Sequence, residues 1–543
     1  MSSRGERVLS LHLPRLFLAG FLLAGLAQAR GAVTAKEFMV AAAHPLAAAA
    51  GAEVLERGGS ALDAAVAVQM VLGLVEPQSS GIGGGAFLLH WSQKERKLRS
   101  YDGRETAPAA AKSDRFLDSQ KKPVPFMDAV VGGRSVGVPG VLRMLELAHQ
   151  RHGRLPWRDL FSSAIAIAES GFDTPPRLRK ALADERFLRD ALFFDADGKP
   201  RSRIVNPEYA ATLRTIAREG AGAFYQGAIA ADIVRAVRSH AKPGDLAGED
   251  LAAYRALERE PVCGAYRGRR VCSMGPPSSG GVAVLQILGI LERTAFARAP
   301  PHSAQAVHLF TEAGRLAFAD RARYVGDPQF VSIPIRKLLS RQYLGKRAAL
   351  IGERSTGEAL PGDTEANGTS HFSIVDRHGD ALAMTTTVES PFGSRIVVRG
   401  FILNNQLTDF DFVPGSVNAV GPRKRPRSSM APTLVFEKEN VKLILGSPGG
   451  AMIINYVAKA LVARLDWGLE LKAAIAAPNL GTRNGPTLLE RDTPYAALER
   501  KLLDRGHRVA LMPLASGLHG IERVPGGWRG GADPRRDGAA VGR

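Results

Sequence analysis

Two stretches of this sequence place a hydroxyl group where it could act as a nucleophile. Gly133-Arg134-Ser135-Val136-Gly137 has the G-x-S-x-G spacing of an elbow that lifts a serine out of a sheet. That elbow needs a helix directly after the serine. Here Val138-Pro139-Gly140 follows, and helical spacing starts only beyond Pro139, a good first-turn residue. With 58 glycines in the chain, the five-residue pattern also arises readily by chance. The stronger candidate is Thr369. Gly368 before it lacks a Cβ and tolerates the angles of a strained peptide. A polar segment lies upstream and a strand-like run downstream. In that setting the Thr369 hydroxyl can attack the Gly368 carbonyl, giving an ester that water then hydrolyses. The freed α-amine of Thr369, with an ordinary pKa of about 7.7–8.0, would act as base for its own hydroxyl. The β-branch of threonine restricts χ1 and holds that hydroxyl in place. The plain alternative is a threonine that merely begins a strand, as threonines often do.

The elements that would carry Thr369 can be read around it. Thr369-Ser370-His371-Phe372-Ser373-Ile374-Val375-Asp376 and Ala381-Leu382-Ala383-Met384-Thr385-Thr386-Thr387-Val388 flank the turn Arg377-His378-Gly379-Asp380, which predicts a hairpin. Further strands are expected at 434–437 and 441–445, and Pro448 opens a helix over about 450–465. Upstream, residues 46–91 read as helix, a Gly58-Gly59 stop, a second helix, a glycine loop and a strand. Ser60 and Asp63 have capping-box spacing at the start of the second helix. The loop Gly81-Ile82-Gly83-Gly84-Gly85 runs from helix into strand and carries no lysine, the reverse of a phosphate-binding loop. Residues 140–240 are mainly amphipathic helix, and 303–350 also have helical spacing. Hairpin strands with flanking helices give an α+β class: an antiparallel sheet covered by helices, with no internal repeat.

Composition narrows the partners. The 543 residues are 45% hydrophobic and 23% charged, which excludes general disorder and a multi-span membrane protein. Seventy-two Lys and Arg against 53 Asp and Glu give +19, but the charges are scattered and aromatics are only 6%. That describes a solvated basic surface rather than a nucleic-acid groove. Arg4, Arg7 and Arg15, an apolar run over 16–26 and Ala27-Gln28-Ala29 form a secretory signal, so residues 1–29 are expected to be removed on export. The apolar run is too short for a membrane span. The two cysteines, Cys263 and Cys272, sit symmetrically about Arg267-Gly268. Counting outward from a two-residue turn makes them a non-hydrogen-bonded pair, close enough for a disulfide outside the cell. Two buried thiols are the alternative. There is no CxxC or HExxH spacing, and His149 and His152 end a helix-like stretch where solvent is expected. No metal and no cofactor is expected.

Seven further stretches accompany the Thr369 hairpin. They are Gly58-Gly59-Ser60-Ala61-Leu62-Asp63-Ala64-Ala65, Gly81-Ile82-Gly83-Gly84-Gly85, Arg104-Glu105-Thr106-Ala107-Pro108, Pro276-Pro277-Ser278-Ser279-Gly280-Gly281, Leu403-Asn404-Asn405-Gln406-Leu407-Thr408-Asp409-Phe410, Arg425-Pro426-Arg427-Ser428-Ser429-Met430 and Gly446-Ser447-Pro448-Gly449-Gly450. Together with the run from Thr369 to Asp376 and in this order, they resemble the γ-glutamyltranspeptidases (glutathione hydrolases). The resemblance covers nearly everything after the signal. It implies the N-terminal-nucleophile hydrolase fold, a four-layer αββα sandwich of two stacked antiparallel sheets. It also implies a precursor cut at Gly368 and Thr369 into a large subunit, 30–368, and a small one, 369–543, which stay together.

Carried over position by position, the resemblance gives Thr369 the nucleophile's role and Thr387 that of its hydrogen-bond partner. Gly449 and Gly450 look like the oxyanion hole, at a helix N-terminus whose N–H groups suit a developing negative oxygen. Arg104 resembles a clamp on an α-carboxylate, a group a guanidinium pairs well. Ser428 and Ser429 would assist it, and Gln406 and Asp409 would accept the α-ammonium. Two departures stand out. Glu389 occupies a position that is usually Asn in the family, which would strengthen the ammonium site or alter the acyl group accepted. Only twelve residues separate Asp409 from Pro422, so a lid loop over the cleft is not expected. The implied activity is transfer of a γ-glutamyl group from glutathione-like donors to water or an amine. The alternatives are a related acylase for glutaryl or β-lactam side chains, and a non-catalytic periplasmic binding protein.

Overall fold

A computed structural model describes residues 33–357 and 368–543. The expected signal, 1–29, and the polar segment 361–367 lie outside the described residues. The hairpin around the candidate nucleophile forms as expected: strands Gly368–Val375 and Ala381–Glu389 are buried throughout and pair antiparallel. They are the centre of a seven-stranded sheet whose order is Ala539–Gly542, Met39–Ala42, Gly368–Val375, Ala381–Glu389, Gly85–Ser92, Lys97–Gly103 and Leu257–Arg259. A second seven-stranded sheet runs Val33–Ala35, Gly527–Ala532, His519–Val524, Asn440–Gly446, Thr433–Glu437, Arg269–Ser273 and Val262–Tyr266. Every pairing within the two sheets is antiparallel.

Strand alternation explains the layers. In Gly368–Val375 the side chains of Phe372 and Ile374 join a core with the helices Pro45–Glu56 and Ala61–Val75. Val375, on the opposite face, meets Leu434, Phe436, Ile444 and Ile521 of the second sheet. The outer face of that second sheet packs under helices Gly280–Leu291, Ala304–Tyr324 and Ile453–Leu465. The result is a four-layer αββα sandwich. All fifteen residues of Ala61–Val75 are buried, so periodicity cannot give this helix a polar face. Its start is set by the Ser60–Asp63 capping box, in which each side chain accepts the other residue's backbone N–H.

Cys263 and Cys272 are directly opposed on adjacent strands, with Cα atoms 4.1 Å apart, and form a disulfide. Two expectations need correcting. His149 and His152 are not solvated. His149 lies 3.2 Å from Asp63, while His152 stacks on His90 at 4.0 Å and meets the Tyr101 hydroxyl at 2.8 Å. Burial lowers the His152 pKa to about 4. The helical stretch at 303–350 is interrupted: Ala304–Tyr324 is followed by non-helical 325–334, and only then by Ile335–Leu338 and Arg341–Ala348. Pro328 and Pro334 fall in the gap, where neither can donate a helical hydrogen bond.

Candidate active site

Thr369 lies opposite Thr387 in the central hairpin, and the register slips between Gly368 and Thr369. The Thr387 hydroxyl donates to the Gly368 carbonyl at 2.6 Å and accepts the Glu389 N–H at 2.8 Å. Its single proton is thereby committed to Gly368. The 3.2 Å contact between the Thr369 and Thr387 hydroxyls therefore has Thr369 as donor. A hydroxyl, the carbonyl carbon beside it and a donor on that carbonyl's oxygen are thus gathered at one peptide bond. Gly368 could not be another residue without movement, since a Cβ there would sit 2.3 Å from the Gln78 carbonyl oxygen. Glu389 turns its N–H to Thr387 by adopting φ 80°, in the left-handed region that few non-glycine residues enter.

Of the expected residues, all but Gly368 and Gly449 line one cleft of about 530 Å³. Arg104 is wholly buried at its base. Its Nε donates to the Pro426 carbonyl at 3.0 Å, and its Nη2 donates to the Arg427 carbonyl at 2.9 Å and to Asp409. Gln406 donates to the same Asp409 oxygen at 2.7 Å. Arg104 Nη1 and Gln406 Oε1 are buried without a hydrogen bond. Glu105 is also fully buried, 3.7 Å from Arg104, and neither of its oxygens has a hydrogen bond. Burial pushes its carboxyl up to about 8 against the pull of Arg104.

Glu389 reaches into the cleft from the other side. Its carboxylate accepts from Ser390 Oγ at 2.5 Å and from Asn405 Nδ2. The Ser429 hydroxyl accepts from Arg321 at 3.0 Å, and Ser428 Oγ accepts the Met430 N–H at 3.1 Å. Gly449 has φ 129°, and a Cβ on it would lie 2.6 Å from the Tyr456 ring, so only glycine fits this turn. It precedes the tight turn Gly450–Met452, which runs into helix Ile453–Leu465 and points that helix's N-terminal end at the cleft. The short segment after Asp409 supplies a side wall: Phe410, Phe412 and Val413 line the cleft, and Phe412 stacks on Phe116 at 4.6 Å.

Sequence reasoning missed Arg321, which sits in the long Ala304–Tyr324 helix where its spacing reads as a solvated face. It also missed Arg536, whose Nη1 donates to the Thr369 carbonyl at 3.1 Å. The rejected elbow is not a nucleophile site: Ser135 Oγ is buried and hydrogen-bonded to the Val130 and Gly132 carbonyls. His308, Glu312 and His507 have the spacing of a metal site, but their ligand atoms are already engaged. Glu312 accepts from Arg315, Ser355 and Thr356, while the two imidazoles bond each other, Gly352 and Thr487.

The γ-glutamyltranspeptidase family model matches residues 47–543. The chain is 38% identical over 539 residues to the glutathione hydrolase proenzyme of Bacillus subtilis (strain 168), covering 93% of this chain and 92% of that one. It is 36% identical over 536 residues to the glutathione hydrolase proenzyme of Escherichia coli (strain K12), covering 93% and 91%. Among solved structures it resembles the cephalosporin acylase from Bacillus halodurans, with a TM-score of 0.85 and 29% identity, over 98% of this chain and 99% of that one.

Proposed function

The chain belongs to the γ-glutamyltranspeptidase family, and from that premise we propose that it is an exported precursor that cuts itself before Thr369 and then transfers γ-glutamyl groups from glutathione-like donors to water or an amine. The observation that carries this reading is the Thr387 hydrogen bond to the Gly368 carbonyl, with the Thr369 hydroxyl on the same oxygen network. Attack of Thr369 Oγ1 on the Gly368 carbon puts negative charge on an oxygen that Thr387 already binds. Collapse breaks the C–N bond, the leaving nitrogen takes up the proton given up by the Thr369 hydroxyl and becomes the new α-amine, and water splits the ester between residues 30–368 and 369–543.

In the mature enzyme the α-amine takes the hydroxyl proton as Thr369 attacks the donor's γ-carbonyl. The N–H groups of Gly449 and Gly450 would meet the oxyanion, at a helix start where such donors are worth about 3–4 kcal/mol each. The leaving amine takes the proton, and water or a second amine then removes the acyl group from Thr369. Arg104, helped by Ser428 and Ser429, would hold the α-carboxylate. Asp409, Gln406 and Glu389 would hold the α-ammonium. Secretory features in residues 1–29 support export, and among the described residues no helix is long and apolar enough to cross a membrane.

Likeness to a cephalosporin acylase favours one rival reading, an acylase for glutaryl or β-lactam side chains. A glutaryl group lacks the ammonium and would forgo its contact with Asp409 and Glu389. Three measurements test the proposal. The purified protein should show two bands, the smaller beginning at Thr369; Thr369→Ala should show one; and γ-glutamyl anilide should be cleaved at least about tenfold faster than glutaryl anilide by kcat/KM. Two bands from Thr369→Ala would remove the nucleophile, and equal rates on the two anilides would select the acylase.

A further inference from the structure

Residues 369 and 370 are gripped by one linked set of charges that has no part in the steps above. Arg536 donates from Nη1 to the Thr369 carbonyl at 3.1 Å and from Nε to the Ser516 carbonyl at 3.0 Å. The neighbouring Ser370 hydroxyl donates to Glu76 at 2.7 Å, and Glu76 is paired with Arg177 at 2.6 Å. Glu76 feels the positive charge of both Arg177 and Arg536. Three distant parts of the chain, the end of helix Ala61–Val75, the start of helix Pro176–Asp184 and the loop before Ala539–Gly542, therefore converge behind the candidate nucleophile.

We propose that Arg536 is a positioning residue which anchors the Thr369 carbonyl and, as the cation in contact with that residue, weakens the basicity of its α-amine so that the amine is free to act as base nearer neutral pH. This rests on the N-terminal-nucleophile reading. Once the Gly368–Thr369 bond is cut, the amine and the anchored carbonyl share one residue, so an ammonium there would stand beside a guanidinium. A like charge at that range disfavours the protonated amine. The anchor also stops the new terminus from fraying, since chain ends stay ordered only when tied down.

The surrounding charges leave Arg536 in this role. Glu76, the nearest acid behind the strand, is balanced by Arg177, whose own N–H meets Asp537 at 3.4 Å. Asp533 is paired with Arg535 at 3.1 Å, and burial holds His519 neutral, with a pKa of about 4. Tyr456 behind Arg536 has its pKa raised by burial and is neutral too. On the cleft side Asp409 is bound to Arg104, and Glu389 is the acid that opposes the effect. The rest of the cleft wall adds Arg321, Arg483 and the Arg427–Asp411 pair. Burial and Arg177 lower the Arg536 pKa to about 9, which still leaves it charged at neutral pH.

The test is the pH dependence of kcat/KM for γ-glutamyl anilide in the processed enzyme and in Arg536→Gln, Arg536→Lys and Glu76→Gln. The acid limb should shift up by about one pH unit in Arg536→Gln. Below the midpoint kcat/KM should then fall about tenfold, with less change at high pH. Arg536→Lys should return the limb towards the wild-type position, and Glu76→Gln, which removes an anion, should move it down. If Arg536→Gln remains uncut, the downward shift in Glu76→Gln carries the test. A limb that stays fixed in the processed variants, or moves the same way in Arg536→Gln and Glu76→Gln, would overturn the proposal. Failure of the function reading looks different: the wild type itself would not be cut before Thr369.

Discussion

Two buried charge clusters in this molecule use the same kinds of residue and differ in how completely they are bonded. Behind the second sheet, Arg315 donates to Glu312 and Thr487, and Glu312 also accepts from Ser355 and Thr356. Gly352 offers His308 Nε2 only a carbonyl, so that nitrogen carries the proton. His308 Nδ1 must then accept from His507 Nε2, and His507 Nδ1 from the Thr487 hydroxyl. One relay, from Arg315 through Thr487, His507 and His308 to Gly352, satisfies every member. At the cleft, by contrast, Arg104 Nη1 and Gln406 Oε1 are buried without hydrogen bonds, as are both oxygens of Glu105 beside Arg104. Natural interiors rarely tolerate such atoms, and those that persist ask for an explanation. The closed relay reads as scaffold, joining residues 352–356 to the C-terminal part of the chain. The open cluster reads as a site waiting for a ligand with its own donors and acceptors.

The largest effects should separate the two clusters by kind. Arg104→Gln should cut kcat/KM for γ-glutamyl anilide by about a hundredfold to a few thousandfold, the scale of one buried charge partner, about 3–5 kcal/mol. Its midpoint of thermal unfolding should move less, because Asp409 keeps access to water in the cleft. Glu312→Ala should do the reverse. Removing it leaves Arg315 buried beside an empty place, which costs about 3–5 kcal/mol of folding stability, while kcat/KM of the folded, processed fraction stays within a fewfold of wild type. Denaturant titration and kinetics on the same preparations would decide. A stable Glu312→Ala, or an Arg104→Gln that loses stability and keeps activity, would erase the distinction drawn above.

A smaller effect tests what the open cluster waits for. Asp409→Asn keeps the shape and removes the charge proposed to meet the ammonium, so γ-glutamyl anilide should lose about tenfold in kcat/KM and glutaryl anilide little. Equal losses on both donors would mean that Asp409 serves only to hold Arg104, to which it is already bonded.

How much of this could be read beforehand follows from range. The Thr369 hairpin, the Ser60 cap, the opposed cysteines and the turn at Gly449 are specified by neighbours a few residues apart, and the sequence showed them. Arg321, Arg536 and the Arg315 relay lie in helices or polar loops whose local pattern is that of a solvated surface. Their partners are distant: Ser429 for Arg321, Thr369 for Arg536, and Thr487 for Arg315. His149 and His152 failed for the same reason, since Asp63 and His90 reach them only after the chain has packed. The Glu105 carboxyl stood in a recognised motif, yet nothing local shows that burial would strip it of hydrogen bonds.

The pH dependence of stability is where the two clusters should oppose each other in sign. Burial raises Glu105 to about 8 from its ordinary 4.5, so the folded protein holds that proton more tightly than the unfolded chain does. Its contribution to stability is complete below the unfolded value and is lost as pH rises through about 8. His507 is shifted the other way, from 6.5 to about 4, because burial and the neighbouring His308 favour the neutral ring. Its contribution is complete above 6.5 and is lost as pH falls towards 4. The open cluster, through Glu105, should therefore soften the protein on the alkaline side and the relay on the acid side. Glu105→Gln, which cannot titrate, should flatten the decline in unfolding free energy between about pH 5 and 8, and leave the acid side alone. His507→Gln should flatten the acid side between about pH 6.5 and 4 and leave the alkaline side alone. Urea titrations across that range measure both slopes. An unchanged alkaline slope in Glu105→Gln would mean that Arg104, at 3.7 Å, holds the Glu105 carboxylate charged in spite of its burial. The open cluster would then be an ordinary ion pair.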